Sequence, residues 1–255
     1  MELLFDIGNS HTVLGVKNNN NFTTWRIGTK SFETEDELFS IIKILFDNKN
    51  IKIDTIKDIG ISNVVPSKAY ILEKFSKKYF SLDSIFVSPF QNVYNIKYMA
   101  DYPAQIGADR ISNVIASKLE YGQNCITLDF GTAITLDVLK NGNFVGGSIT
   151  PGFKTSMMAL FSNTAQVPQI ELNIPDYNYG TNTDDNVQIG IIKTILYGLE
   201  TLIEKIKEQD SINYKIITTG GMAKNLKTNS YIFKNFDENL TLKGISYYMK
   251  YLRGE

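Results

Sequence analysis

Two short segments of this chain repeat one pattern, and the repeat limits the possible folds more than any other feature. Residues 3–16 (LLFDIGNSHTVLGV) and residues 126–139 (ITLDFGTAITLDVL) each run an apolar strand into Asp, an apolar residue, Gly, small residues and a second apolar strand. The alignment pairs Asp6 with Asp129, Gly8 with Gly131 and Thr12 with Thr135. One Asp-x-Gly segment is typical of an ordinary hairpin turn. Two copies indicate an internal duplication.

The repeated residues suit the binding of a nucleotide. An acidic residue at a strand end can hold a hydrated cation, and Gly beside small polar residues lets backbone N–H groups approach phosphate oxygens. The 255 residues are enough for two domains, each with its own core. We therefore expect an N-terminal domain over residues 1–115 and a C-terminal domain over residues 116–255.

Apolar runs and alternation predict an α/β chain in which strands and helices alternate. The predicted strands cover residues 3–5, 11–17, 22–27, 59–64, 84–87, 126–128, 134–140, 143–149 and 215–218. Helices fill the gaps. Thr34 and Glu37 form a capping-box pattern at the start of the first helix.

Three helices have predicted core faces. The first buries Leu38, Ile41, Ile42 and Leu45, the second (residues 107–121) Ile111, Val114, Ile115 and Leu119, and the third Val187, Ile191, Ile195, Leu199, Leu202 and Ile206.

Charge and cysteine content exclude several classes of function. The 26 basic and 27 acidic side chains nearly cancel and form no block of like charge, so nothing favours nucleic acid or a membrane surface as partner. The single cysteine, Cys125, opens an apolar strand and has no disulfide partner within the chain. We expect it to be buried and inert in a reducing compartment. The start of the sequence has no charged lead before a long apolar run, which favours a cytoplasmic protein.

Four further segments are candidates for chemistry. Gly107-Ala108-Asp109-Arg110 places a carboxylate and a guanidinium at a helix start, where they form either a base and an anion clamp or a helix cap and a surface cation. Residues 146–152 predict a tight loop that lines a site or simply turns. Residues 218–221 (TTGG) end a strand with bare backbone for adenosine, or cap a turn. Residues 182–186 (NTDDN) offer polar substrate contacts or helix caps.

Familiar phosphate, dinucleotide and hydrolase motifs are absent from the sequence. It contains neither Gly-x-x-x-x-Gly-Lys-Ser/Thr nor Gly-x-Gly-x-x-Gly. One histidine, His11, and one cysteine exclude a zinc site of the usual multi-ligand kind and make a Ser-His-Asp hydrolase a poor fit. We favour His11 as a hairpin side chain.

The ordered motifs of this chain resemble type III pantothenate kinases over nearly its whole length. The matching segments are Asp6-Ile7-Gly8-Asn9-Ser10 with Thr12, Gly107 to Arg110, Asp129 to Ala133, Gly146 to Gly152, and Thr219-Gly220-Gly221. The family belongs to the actin-like ATPase superfamily of acetate and sugar kinases. The resemblance therefore implies two duplicated actin-like (ribonuclease H-like) α/β domains, with mixed five-stranded sheets and a nucleotide cleft between them.

The resemblance also implies a reaction, ATP-dependent phosphorylation of pantothenate to 4'-phosphopantothenate, the first step to coenzyme A. It assigns proton removal to Asp109 and pantothenate contacts to Gly107, Ala108, Asp109, Arg110 and Thr183. It assigns ATP to Asp6, Ile7, Gly8, Asn9, Ser10, Thr12, Thr132, Thr219, Gly220 and Gly221. Asp6 would hold Mg²⁺ through phosphate or water, and Asp129 a monovalent cation, K⁺ or NH₄⁺. Thr183 would reach the neighbouring subunit's site, which implies a homodimer with sites at its interface.

The sequence departs from the family pattern at two places, and two alternatives to pantothenate kinase activity stay open. Ser10 replaces the family's usual Thr and keeps its hydroxyl. The expected substrate tyrosine would fall on Ala100, between Tyr98 and Tyr102, and we favour Tyr98. One rival is a catalytically silent nucleotide-binding regulator of the same fold. The other is a kinase for a sugar or a short-chain acid.

Overall fold

The structure is a computed structural model, which describes residues 1–162, 173–226 and 230–255. The chain divides into two compact units. The first unit combines Met1–Leu119 with Asn239–Glu255, and the second unit is Glu120–Glu238. This division places the C-terminal segment with the first unit, whereas the repeat led us to expect a boundary after residue 115.

Nine strands form in the described residues, and each coincides with a predicted strand to within a few residues. They are β1 (Glu2–Ile7), β2 (His11–Asn18), β3 (Asn21–Gly28), β4 (Asp58–Asn63), β5 (Ser84–Phe86), β6 (Cys125–Phe130), β7 (Ala133–Lys140), β8 (Asn143–Pro151) and β9 (Lys215–Thr219). β8 extends through most of the segment 146–152, so the loop predicted there is wrong and only Gly152 lies outside the strand.

The first unit contains a five-stranded mixed sheet in the order β3-β2-β1-β4-β5. β1 pairs with β2 in antiparallel fashion and with β4 in parallel fashion. Asp6 thereby lies beside Val13 on one side and Ser62 on the other. Because β1 and β4 are parallel, their carboxyl ends meet at one edge of the sheet.

The second unit repeats this arrangement in the order β8-β7-β6-β9. The described residues give it four strands where the resemblance implied five. At the fifth position the chain contributes a one-residue bridge, Phe236 beside Thr218, with hydrogen bonds from Thr218 N to Asn235 O (2.9 Å) and from Asp237 N to Thr218 O (2.8 Å). The two mixed sheets expected from the sequence are confirmed.

The two repeated turns differ in length by one residue. Gly8 N donates to His11 O at 3.0 Å, whereas Gly131 N donates to Ala133 O at 3.0 Å. The shorter second turn places Thr135 opposite Asp129, while Val13 lies opposite Asp6. The alignment of Thr12 with Thr135 is therefore wrong by one residue, because a shift of one position in a strand moves a side chain to the other face.

Seven α-helices complete the described structure. They are α1 (Glu35–Asp47), α2 (Ala69–Phe80), α3 (Ala108–Tyr121), α4 (Phe153–Phe161), α5 (Thr183–Gln188), α6 (Thr194–Asp210) and α7 (Leu240–Leu252). The capping box of Thr34 and Glu37 at α1 is confirmed. None of the described helices has the length and apolarity needed to cross a lipid bilayer.

Two of the predicted core positions are wrong. Leu119 of α3 is 41% exposed and Leu202 of α6 is 38% exposed. In α6 the fully buried residue is Ile203, beside Leu196 and Leu199. Leu202 and Ile203 are adjacent apolar residues, which left that helix face ambiguous by one residue.

The C-terminal helix α7 packs on the sheet of the first unit. A Cβ on Gly60 would lie 2.6 Å from Ile245 Cγ2, and one on Gly15 would lie 2.6 Å from Leu242 Cδ1. Gly244 of α7 lies directly against the backbone of Ser112 in α3. Small residues therefore allow the helix to approach both the sheet and α3.

Candidate active site

The first Asp-Gly turn lies at the carboxyl end of β1. Asp6 is half-buried, and Ser62 Oγ donates to its Oδ1 at 3.1 Å. Asn9 and Ser10 follow in the turn and are exposed. This edge of the sheet therefore offers a fixed carboxylate beside exposed amide and hydroxyl groups, the oxygen ligands and donors that suit Mg²⁺ and phosphate.

Two predicted nucleotide contacts in this turn face inward. Ile7 and Thr12 are both fully buried. Thr12 Oγ1 lies 3.1 Å from Thr29 Oγ1, and Thr29 Oγ1 donates to Gly8 O at 2.6 Å. Their side chains thus fix the shape of the turn, and Thr12 acts on the Gly8 backbone through Thr29.

Asp109 occupies the first turn of α3 and is half-buried. The N–H of Arg110 donates to its Oδ1 at 2.8 Å. Burial raises the pKa of the Asp109 carboxyl, although the hydrogen bond from Arg110 N–H opposes the shift. A Cβ on Gly107 would press against this carboxylate, so a larger residue at that position would displace the Asp109 side chain. A carboxylate with a raised pKa can accept a proton from a substrate hydroxyl.

Val64 connects the Gly107 to Arg110 segment to the end of β1. Its N–H donates to Ile7 O at 3.1 Å, and its Cγ1 would lie 3.3 Å from a Cβ on Gly107. The first Asp-Gly turn and the Gly107 to Arg110 segment therefore lie at the same edge of the sheet. Ala108 is buried and Arg110 is half-buried in this segment.

The two tyrosines considered for substrate contact differ in exposure. The hydroxyl oxygen of Tyr98 is buried, and burial raises the pKa of Tyr98, with nearby Tyr248 adding to the shift. Tyr102 is 69% exposed. The neutral phenol of Tyr98 is thus held in the protein interior, while Tyr102 faces solvent.

In the second unit, Asp129 forms the centre of a row of oxygen-bearing side chains. It lies beside Thr135 on one neighbouring strand and Thr219 on the other. Residues directly paired across a sheet present their side chains on the same face. The Oγ1 of Thr135 is buried and has no hydrogen-bond partner in the described residues.

Gly220 and Gly221 follow this row at the end of β9. Gly220 has a left-handed φ of 99°, and a Cβ there would lie 2.5 Å from Phe130 N and 2.6 Å from Asp129 Oδ1. Only glycine satisfies both conditions. The backbone therefore passes directly beside the Asp129 carboxylate, and Gly221 is exposed next to it.

Thr132 is exposed at the tip of the second Asp-Gly turn, and the start of α4 fixes its backbone. Gly152 N donates to Thr132 O at 2.9 Å, and Thr155 Oγ1 donates to the same oxygen at 2.6 Å. Gly152 also lies against the backbone of Gly131. The segment 146–152 therefore ends in a support for the turn.

Thr183 is the exposed first residue of α5. Asn182 is the N-cap, with its Oδ1 accepting from Asp185 N at 2.9 Å. The polar run 182–186 thus serves partly as a cap and leaves Thr183 accessible.

The structure adds supporting residues that the sequence did not single out. Ser62 holds Asp6, Thr29 holds the Gly8 turn and Thr155 holds Thr132. Ser62 could have been found from its place near the end of a parallel strand beside β1. Cys125 is fully buried as predicted, and burial raises the pKa of its thiol to about 12.

Comparison with known proteins identifies the family. The family model described as type III pantothenate kinase matches residues 2–206. A type III pantothenate kinase from Petrotoga mobilis is 54% identical over 253 residues, covering 99% of both chains. The chain belongs to the type III pantothenate kinase family. A second member of that family, from Kosmotoga olearia, is 39% identical and covers 99% of this chain and 97% of its own.

Solved structures show the fold of this type III pantothenate kinase family member. A Baf family protein from Campylobacter jejuni, named as a transcriptional activator, superposes with a TM-score of 0.60 at 21% identity, covering 99% of this chain and 100% of its own. The activator of 2-hydroxyisocaproyl-CoA dehydratase from Clostridium difficile, with bound ADPNP, gives a TM-score of 0.55 at 11% identity, covering 97% and 93%. The actin-like α/β fold class expected from the sequence is confirmed.

Proposed function

We propose that this chain transfers a phosphoryl group from ATP to the primary hydroxyl of pantothenate. The half-buried carboxylate of Asp109, with its raised pKa, is the observation that carries the proposal. Phosphoryl transfer needs alignment and charge neutralisation more than covalent chemistry, so one base beside phosphate and cation sites suffices. Asp109 takes the proton of the attacking hydroxyl, and Arg110, Gly107 and Ala108 orient pantothenate.

Asp6, Gly8, Asn9 and Ser10 are proposed to hold the ATP phosphates. Asp6 accepts from Ser62, which keeps its carboxylate at the strand end, and Gly8 is held by Thr29. Mg²⁺ would supply charge neutralisation at the phosphates when bound. Thr132 is proposed as a further phosphate contact, and the backbone of Thr219 to Gly221 as the adenosine contact. Tyr98 is our choice over Tyr102 for pantothenate.

Asp129 is proposed as the ligand for a monovalent cation, K⁺ or NH₄⁺. The Asp129 carboxylate lies in one row with Thr219 and with Thr135, whose Oγ1 is buried. Together these side chains offer several oxygen ligands that carry a single negative charge. That donor set fits a singly charged cation, which oxygen ligands suit.

A homodimer is proposed from the exposed apolar residues of the second unit. The described residues of the second unit contain eight such side chains: Ile149, Met158, Leu160, Tyr177, Tyr179, Tyr197, Leu202 and Tyr231. A dimer interface needs exposed apolar groups, and we propose that the interface buries some of these side chains. We also propose a cytoplasmic location, which suits a chain whose single cysteine, Cys125, is a buried thiol.

The test is a coupled assay of ADP release with ATP, Mg²⁺ and K⁺. We expect ADP release that stops without pantothenate and falls when Na⁺ replaces K⁺. Glucose and acetate replace pantothenate as control acceptors. ADP release without an acceptor requirement, or with either control acceptor at the pantothenate rate, would contradict the proposal. If no ADP is released although ATP still binds, the alternative of a catalytically silent nucleotide-binding regulator would be favoured.

A further inference from the structure

The helix that begins at Thr183 contains a π-turn. α5 leads directly into a π-turn at Ile189–Lys193, which leads directly into α6. A π-turn holds an extra residue at a cost in helix geometry, and such turns occur frequently at functional sites. One residue of an α-helix corresponds to a rotation of about 100°. The π-turn therefore rotates Thr183 about the helix axis, relative to a continuous α-helix.

Lys193, the last residue of the π-turn, binds the segment before α5. Its side chain is buried, and its Nζ donates to Tyr177 O at 2.7 Å and to Asn178 Oδ1 at 2.9 Å. Tyr197 OH lies 3.2 Å from the same Asn178 oxygen. A buried ammonium group with oxygen acceptors is a strong, directional anchor, because losing either side leaves a desolvated group.

The anchored segment packs on the first turn of α5. Tyr177 OH donates to Asp185 Oδ2 at 2.5 Å, and Asn182 Nδ2 donates to the same oxygen at 2.7 Å. A Cβ on Gly180 would lie 2.6 Å from Asp185 Cβ and 2.8 Å from Asn186 N. The contacts thus run continuously from Lys193 to the helix start that presents Thr183.

We propose that the π-turn and Lys193 position Thr183 against pantothenate. Lys193 is a positioning residue that acts through residues 177–182. Ile192, Leu196 and Leu199 of the same helix are buried in the core of the second unit. The inference rests on the proposed function, in which Thr183 contacts pantothenate.

Removal of one residue from the π-turn tests the rotation. Gly190 is exposed, and a Cβ there would meet nothing within 4 Å. Its deletion restores the residue count of an α-helix and turns Thr183 away. We expect the KM for pantothenate to rise about tenfold or more, the loss of ~1.4 kcal/mol of binding, with the KM for ATP unchanged. Gly190→Ala keeps the length and should keep both KM values.

Lys193→Met tests the anchor while keeping an unbranched side chain in place. We expect a selective rise in the pantothenate KM, and a similar rise in Gly180→Ala, which pushes the segment away from Asp185. Lys205→Met is the matched control on α6, because Lys205 forms an exposed pair with Glu208. It should leave both KM values at those of the parent.

The ratio of the KM for pantothenate to the KM for ATP separates a positioning role from an effect on general stability. If Lys193→Met raises both KM values equally, or neither, while the parent phosphorylates pantothenate, the inference is overturned and the proposed function stands. If the parent releases no ADP with pantothenate, the proposed function fails and the inference fails with it. Should the Gly190 deletion not fold, the ratios in Lys193→Met and Gly180→Ala decide.

Discussion

At the scale of single residues, burial sets the chemistry of Asp109. The half-buried carboxylate lies in the first turn of α3, and burial raises its pKa. The desolvation cost of the charged carboxylate is offset in part by the N–H of Arg110. A base of this kind gains proton affinity at the expense of folded-state stability.

Asp109→Asn should lower turnover by about 10² to 10⁴-fold, the range for loss of a general base. The amide keeps the shape of the side chain, so ATP affinity measured by calorimetry should remain that of the parent. Asp101→Asn is the control, because Asp101 is an exposed acid in the same unit. Parental turnover in Asp109→Asn would remove Asp109 from the mechanism.

The same substitution should stabilise the fold at neutral pH. Below the unfolded pKa of about 3.9, Asp109 is protonated in both states and contributes no difference. As the pH rises from there through the raised folded pKa, the parent loses stability that the uncharged amide variant would keep. We expect the free energy of unfolding of Asp109→Asn to exceed that of the parent at pH 7 and to match it near pH 3.5. Equal stability at both pH values would contradict a raised pKa.

Asp129→Ala should abolish the response to K⁺. The substitution removes the one carboxylate of the row that includes Thr135 and Thr219. We expect the melting temperature of the parent, but not of the variant, to rise when K⁺ replaces Na⁺, since a ligand of the folded state stabilises it. Asp54→Ala, an exposed acid of the first unit, should respond as the parent does. A parental response in Asp129→Ala would contradict the cation assignment.

At the scale of elements, glycines determine where strand ends can meet. Gly122 and Gly220 both have left-handed φ values, 117° and 99°. A Cβ on Gly122 would meet nothing within 4 Å, whereas one on Gly220 would overlap Phe130 and Asp129. The pair therefore separates backbone strain from close packing.

Gly122→Ala should cost about 1 kcal/mol of unfolding free energy, the penalty for a left-handed residue with a side chain. Gly220→Ala should cost about 3 kcal/mol or more, because strain and overlap add. Urea denaturation of both variants measures the difference. Equal losses of unfolding free energy in the two variants would mean that the strand end beside Asp129 can shift to accommodate the added methyl group.

Strand positions were predictable from sequence because alternation and apolar runs are local properties. The buried faces of helices were harder to predict. Leu202 and Ile203 are adjacent apolar residues of α6, and only packing in the folded protein determines that Ile203 is the buried one. The π-turn has no sequence signal that distinguishes it from an α-helix. The repeated turns differ in length by one residue, so Thr135 shares a sheet face with Asp129 whereas Thr12 does not share one with Asp6. The hydrogen bonds across each turn set this strand register.

At the scale of the whole molecule, α7 belongs to the first unit although it is last in the sequence. Lys17 Nζ donates to Ser246 Oγ at 2.6 Å, and Thr241 Oγ1 donates to Asn113 Oδ1 at 2.8 Å. No local pattern predicts such distant pairings. The candidate site residues could be named from ordered motifs, but their supports, such as Ser62 and Thr29, needed the folded chain.

Gly244→Ala should destabilise the protein by about 2 kcal/mol or more, because the added methyl group overlaps the Ser112 backbone. Gly198→Ala is the opposite control, since a Cβ on this exposed residue of α6 would meet nothing within 4 Å. It should stabilise by up to about 1 kcal/mol through helix propensity. Thermal unfolding of the two variants measures the predicted loss and the predicted gain of stability. If Gly244→Ala is as stable as the parent, α7 can move away from α3.

The place of α7 reverses the usual order of folding during synthesis. Domains generally fold as they leave the ribosome, the N-terminal one first. Here residues 120–238 have all emerged before the first unit receives its last helix from residues 239–255. The first unit, which holds Asp6 and Asp109, must therefore wait with one sheet face uncovered until residues 239–255 have emerged. The later-made unit can finish folding before it.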